Sequence, residues 1–248
     1  MEQSLCLLSG ISPSAEIHFR RIGIVTCKHL AMEAVRLFSP SRSKSVKESF
    51  LLFETASRLG FAGWFVSNLP PGHRVRAIHD FWRDVVFFDI ETDGLSRASR
   101  ITCVTAEKGG VQSSFVRGRN LHRFLEVLSA AKLLVGFNSK RFDMPMICKE
   151  FGLASVPAQV DLMDEAAHYG FHGGLKAVER RIGFARDSVA CSNGAMAVEL
   201  WRQYRESGSE LHLAELLRYN RDDVRSLTVL ARCLLTLSLE NTGINVDL

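Results

Sequence analysis

No apolar run in this sequence approaches the ~20 residues that a membrane-spanning helix needs, so no segment is expected to cross a bilayer. The first residues, with Glu2 and an apolar stretch broken at Gly10, lack the basic start and long core of a secretory signal, and the expected location is cytoplasmic. Cysteine is sparse. Cys6, Cys27, Cys103, Cys148, Cys191 and Cys233 form no Cys-x-x-Cys pair, which argues against a zinc site and a disulfide framework and leaves reduced, mostly buried thiols. A strong excess of one charge sign is lacking too, since the formal net charge is only +4. With 46% hydrophobic residues in 248, the chain is neither disordered nor fibrous and has material for a sizeable core in one or two domains.

The small charge excess is uneven. Residues 1–83 carry 11 Lys+Arg and 6 Asp+Glu, whereas residues 84–248 carry 20 and 21. A basic N-terminal third favours a polyanionic partner such as nucleic acid. In that third, Pro13 after the Gly10-Ile11-Ser12 turn opens a short helix that stops at Gly23, and a second helix follows. Ser39 to Ser45 is a polar break expected to be a loop, and residues 46–67 a helix with Phe50, Phe53, Ala56 and Leu59 on one stripe. Pro70-Pro71-Gly72 cannot continue it. A boundary between there and Arg83 divides the chain into a small helical region, 1–82, and a larger domain, 83–240.

The larger domain is organised around Val85–Leu95. An apolar run of strand formers ends there in Asp89 and Glu91, and Thr92-Asp93-Gly94 turns at once. Residues i and i+2 of a strand share a face, so both carboxylates can reach one point while Ile90 packs opposite. Paired oxygen ligands at a strand end suit a hard divalent cation. Ile101–Glu107 and Val111–Arg117 read as strands joined at Lys108-Gly109-Gly110, which makes the first three strands an antiparallel meander. A helix from Asn120 to about Ala131, a buried strand Leu133–Phe137 and a short strand ending at Asp161 follow, and the remainder is helical. The fold class is α/β: a mixed sheet flanked by helices, beside an all-α N-terminal region.

Two more acids sit at informative places. Asp143, after Gly136-Phe137-Asn138, is either a helix N-cap or a partner of Asp89. In Leu216–Leu234 the stripe Leu216, Asn220, Asp223, Leu227, Leu230, Leu234 is helical and points Asp223 inward, with Tyr219 one turn before it. A buried carboxylate needs a cation, a metal or a donor. Asp222 is rotated away and expected to be exposed. Asp161 reads as an N-cap, with Asp164 behind it, and His168 and His172, lacking a third ligand, as surface or packing residues.

Together these motifs resemble the DEDD superfamily of 3′–5′ exonucleases, whose fold is ribonuclease H-like. Asp89-x-Glu91 is similar to its first motif, Asn138-x-x-x-Phe142-Asp143 to its second, and Tyr219-x-x-x-Asp223 to its third in the tyrosine form. The stretches Gly173–Gly183 and Ala197–Trp201 are similar to those of a bacterial group of predicted exonucleases related to the proofreading domain of family B DNA polymerases. The resemblance covers residues 84–236, and the Gly10-Ile11-Ser12 turn weakly resembles a helix-hairpin-helix whose second glycine is replaced by Ser12. It implies two ions, Mg²⁺ or Mn²⁺. Asp89, Glu91 and Asp223 would hold the first, Asp89 would bridge to the second, and Asp143 would reach the second largely through water. Tyr219 would orient the attacking water, while Asn138, Phe142 and Lys176 would contact substrate. For Lys176, which follows two glycines at a helix start, a solvated lysine is the default alternative. The implied activity is exonucleolytic hydrolysis of nucleic acid, with DNA favoured over RNA. A ribonuclease or endonuclease on the same fold, or a non-catalytic nucleic-acid-binding protein, are the alternatives.

Overall fold

The apolar run beginning at Val85 forms the middle strand of a mixed sheet. The computed structural model describes residues 1–94, 96, 98–186 and 194–244. Among them, β1 (Val85–Thr92), β2 (Ile101–Lys108), β3 (Val111–Val116), β4 (Leu133–Gly136) and β5 (Ala158–Asp161) lie in the order β3-β2-β1-β4-β5. β1 to β3 form the expected antiparallel meander, and β1, β4 and β5 run parallel. Five helices precede the sheet: α1 (Pro13–Arg21), α2 (Cys27–Leu37), α3 (Pro40–Leu59), α4 (Ala62–Asn68) and α5 (Val75–Asp80). Within and after it come α6 (Phe124–Ser129), α7 (Asp143–Phe151), α8 (Leu162–His168), α9 (Leu175–Ile182), α10 (Gly194–Ser207) and α11 (Glu210–Glu240). No helix among the described residues is long and apolar enough to cross a membrane.

Strand alternation assigns the two faces of β1. Val86, Phe88 and Ile90 pack with Phe124 of α6 and Met144 and Ile147 of α7. Val85 and Phe87 pack on the other side with Val224, Leu227 and Leu230 of α11. Asp89 and Glu91 continue this second row, so α11 covers the face that bears the acids. At 31 residues and 1.5 Å per residue, α11 is about 45 Å long. It therefore serves two cores: Leu213, Leu216 and Tyr219 pack with Trp201 of α10, and the later turns pack with the N-terminal helices.

The core runs across the expected boundary at residue 83 without a break. Leu5, Leu30, Phe65 and Val75 belong to the same apolar cluster as Val85, Leu133 and Leu227. A buried ionic cluster reinforces this seam. Glu16 is fully buried and accepts from the Leu5 amide at 2.9 Å, Arg20 at 3.0 Å and Arg76 at 3.0 Å. Arg76 in turn donates to Ser238 Oγ at 3.0 Å and Thr242 Oγ1 at 2.6 Å at the end of α11. Two of the N-terminal region's basic residues are thus paired inside the protein and add nothing to its surface charge.

Several local expectations are corrected. Ser39 to Ser45 is not a loop: α3 starts at Pro40, whose fixed φ suits the first helical position, and apart from the buried Ser43 the serines and basic residues lie along the outer side of the first two turns. Nor is 46–67 one helix, because Gly60 adopts φ 59° and its amide bonds to the Ala56 and Ser57 carbonyls, ending α3 before α4 begins. Leu59 is consequently 68% exposed, off the stripe that buries Phe53 and Ala56. Ser12 is the N-cap of α1, its hydroxyl accepting from the Ala15 amide at 3.1 Å. Only a single 3-10 turn, Leu5–Leu7, precedes it, so the likeness to a helix-hairpin-helix is confined to the turn and the helix after it. Cys6, Cys27 and Cys103 are buried free thiols and Cys148 and Cys233 partly buried ones; Cys191 lies outside the described residues.

Removing Glu16 would leave Arg76 buried without its counter-ion. Glu16→Ala is expected to lower unfolding stability by about 3–5 kcal/mol. Replacing both members by apolar residues, as in Glu16→Leu with Arg76→Met, should recover much of that loss. Urea denaturation of the single and double variants measures both.

Candidate metal centre

The central strand outruns its parallel neighbour. β4 pairs with β1 only as far as Val135 opposite Phe87, so the amide of Ile90 has no strand partner on that side. Asp143, the first residue of α7, fills the place: its carboxylate accepts from the Ile90 amide at 3.3 Å, between Asp89 and Glu91 in sequence. Gly136 makes this approach possible. A Cβ there would lie 2.5 Å from Ser139 Cβ, inside the turn that leads to α7. From the opposite side α11 contributes Asp223, buried, and Tyr219 one turn earlier. Carboxylate oxygens of Asp89, Glu91 and Asp223 all lie within 4.8 Å of one another. Asp143 stands just outside this trio but close enough to act on Asp89 and Glu91 electrostatically.

Burial and mutual repulsion make these acids hard to ionise. The Asp89 carboxyl is pushed well above its ordinary range, first by loss of solvent and then by the charges of Asp223, Asp143 and Glu91. Glu91 is raised in the same way, by burial and then by Asp223 and Asp143, against the opposing pull of Lys176 and Arg186. Asp143 is pushed up to about 7, chiefly by burial. Asp223 reaches about 6, where burial outweighs the Arg186 guanidinium beside it. The four therefore behave as one coupled group that retains protons near neutrality.

Polar neighbours complete the site. Asn220 donates from Nδ2 to Asp89 Oδ2 at 2.7 Å, while its own Oδ1 is buried without a hydrogen-bond partner among the described residues. Lys176 Nζ donates to the Tyr219 hydroxyl at 2.8 Å and lies 4.1 Å from the centre of its ring. Arg186 binds Glu179 through Nε at 2.8 Å and Nη2 at 2.5 Å, and the same Nη2 contacts Asp223 Oδ1. An all-oxygen donor set, strained by its own charge and beside an orphaned amide oxygen, fits a hard divalent cation.

Of the expected substrate contacts, Lys176 lines the cleft of about 320 Å³ over the acids, together with Asp89, Phe137, Leu175, Tyr219 and Asp223. It is partly buried and its amino group donates to the Tyr219 hydroxyl. Phe142 packs against the core on the opposite side of the sheet, with Phe88 and Ile147. Asn138 holds a left-handed backbone, φ 58°, and its amide donates to Asp161 Oδ1 at 2.7 Å. Asp161 is the expected N-cap of α8, bonding the Met163 amide at 3.1 Å, but it also takes the Lys140 amide at 3.1 Å and so ties down the whole 138–140 turn. Asp222 is not exposed: it is 4% accessible. The stretch after α9 passes over that side of α11, where Arg225, 3.8 Å from Asp222, donates to the Ala185 carbonyl and stacks on Phe184. Sequence reasoning missed Asn220, visible only as a polar break in an apolar stripe, and Arg186 and Glu179, which carry no local signal.

The raised carboxyls define a pH dependence. Each ionises less readily folded than unfolded, so its favourable contribution is complete below the unfolded value near ~4 and is lost as pH rises through the folded one. With Asp223 at about 6 and Asp143 at about 7, metal-free stability is expected to fall between pH 5 and pH 8. The loss should be on the order of a few kcal/mol. Urea unfolding in a chelator at both pH values measures the slope, and Asp143→Asn should flatten it.

Comparison with known proteins agrees with this architecture. No curated protein sequence matches the chain. Among solved structures it is similar to the family B DNA polymerase from the hyperthermophilic archaeon Pyrobaculum calidifontis, 24% identical over 64% of this chain and 25% of the polymerase, with a TM-score of 0.51. The chain thus spans about a quarter of that polymerase's length. It is also similar to the Aedes aegypti Nibbler EXO domain, 13% identical over 69% of this chain and 87% of that one, with a TM-score of 0.39. The family model described as RNase_H superfamily matches residues 86–235, a span from the second residue of β1 into α11 that includes all four acids. The chain belongs to the RNase_H superfamily.

Proposed function

We propose that this protein is a metal-dependent 3′–5′ exonuclease that hydrolyses phosphodiester bonds of nucleic acid, with single-stranded DNA the favoured substrate. The observation that carries this reading is the clustering of Asp89, Glu91 and Asp223 at a cleft lined by Asp89, Asp223 and Tyr219, with Asp143 held on the Ile90 amide beside them. Asp89, Glu91 and Asp223 would hold one Mg²⁺ or Mn²⁺ ion, and Asp89 with Asp143 a second. When bound, two such ions stabilise the attacking and leaving oxygens of an in-line displacement at phosphorus. The protein's own groups do the rest. Asn220 fixes one oxygen of Asp89 through its 2.7 Å bond and leaves the other free. Lys176 donates to the Tyr219 hydroxyl from the cleft side and so fixes that phenol where it would orient a water. The same lysine, with its charge at the cleft wall, is positioned to meet a substrate phosphate.

In this reading, residues 83–240 carry the chemistry, while the basic region 1–82 retains the polyanionic substrate and closes the core beneath α11. Incubation with end-labelled single-stranded DNA, duplex DNA and RNA in Mg²⁺ or Mn²⁺ tests the proposal. A ladder shortening from the 3′ end supports it, internal cuts point to an endonuclease, and binding without cleavage would sink it. Asp223→Asn is expected to reduce the rate about a thousandfold, since a lost metal ligand forfeits several kcal/mol. Asp222→Asn, on a buried residue turned away from the cleft, should cost about 1–3 kcal/mol of stability yet leave the rate per folded molecule unchanged. Rate measurements beside thermal unfolding separate the two effects.

A further inference from the structure

One cation at the centre is held differently from the other. Lys176 stands on Tyr219, but Arg186 contacts Oδ1 of Asp223, itself a member of the trio that fits a divalent ion. The arginine side chain is 14% accessible and its Glu179 partner 5%, so this is no casual surface pair. Its Nη1 is buried and has no hydrogen-bond partner among the described residues. Glu179 engages it through two nitrogens, so the guanidinium keeps a bidentate partner whether or not it stays on Asp223. Lys176 and Arg186 both act on Glu91, which places the guanidinium within electrostatic reach of a second acid of the trio.

We infer that Arg186 is the internal counter-ion of the metal centre: it neutralises Asp223 in the metal-free protein, and a divalent cation enters by displacing it from that carboxylate while Glu179 retains it. The inference rests on the reading of the acids as a metal site. Like charges in a poorly solvated pocket repel strongly, so metal loading is an exchange of one cation for another and the arginine weakens metal affinity. A residue that merely held Asp223 in place would do the reverse, strengthening metal affinity.

Calorimetric titration with Mn²⁺, on the full chain without nucleic acid, tests this. Arg186→Gln should bind Mn²⁺ about tenfold or more tightly than the unaltered protein, because a single positive charge near a divalent ion is worth at least that at an effective dielectric near ~20. Arg186→Lys, which keeps the charge, should stay close to the unaltered affinity. The double variant Glu179→Gln with Arg186→Gln removes the stranded buried carboxylate and guards against misfolding; it should bind more tightly than the unaltered protein but less tightly than Arg186→Gln, because the Glu179 charge that also acts on Asp223 is lost with it. The rise in Tm on adding Mn²⁺ should also be larger for both neutral variants. Equal or weaker Mn²⁺ binding by the neutral variants, with the unaltered protein binding normally, overturns the counter-ion role and leaves the metal site standing. Absence of Mn²⁺ binding in every form overturns both.

Discussion

Carboxylates whose oxygens lie within 4.8 Å repel one another by roughly 3 kcal/mol per ionised pair at an effective dielectric near ~20. Much of the structure is arranged to bear that repulsion. Asn220 donates to Asp89, the Ile90 amide donates to Asp143, and Arg186 sits on Asp223. Protons held by the raised carboxyls absorb the remaining charge in the metal-free state. The assembly persists because the elements carrying the acids are locked by apolar packing on both sheet faces, where Phe88 and Ile147 on one side and Val224 and Leu227 on the other exclude water.

The geometry of the centre follows from a mismatch in strand length. β1 is eight residues and β4 four, so β1 projects beyond its parallel neighbour and presents acids and an unpaired amide at the end where the next helix starts. Asp143 satisfies that amide and becomes part of the site in the same act. Gly136 and the left-handed Asn138, held by Asp161, make the turn tight enough to bring α7 there. Chemistry and backbone satisfaction thus depend on the same few bonds.

The N-terminal helices have a second physical role beside their charge. They cover the later turns of α11, where Leu234, Leu235 and Leu239 share an apolar cluster with Leu5, Val75 and Ile78, and Arg76 fixes the end of that helix through Ser238 and Thr242. Since Asp223 and Tyr219 ride on the same helix, a region remote from the cleft holds it in register. Truncation at Arg83 would uncover this core and remove the basic residues together.

Local pattern alone determined the strand meander, the inward phase of Asp223 and the pairing of Asp89 with Glu91, because each depends on period-two or period-3.6 geometry within one element. The superfamily was legible for the same reason, since its motifs sit at strand ends and on one helix face. What lay beyond the sequence was everything set by contacts across elements. Pro40 and its serines read as a loop, because exposed helix turns and loops share a polar composition, and Asp222 read as exposed, because helical phase says nothing about a segment crossing from elsewhere. Lys176 on Tyr219 joins residues 43 positions apart, and Arg186 on Asp223 residues 37 apart. No periodicity links such pairs; only the packing of α9 and the stretch after it against α11 brings those charges together, and it is there that tertiary structure decided the electrostatics of the site.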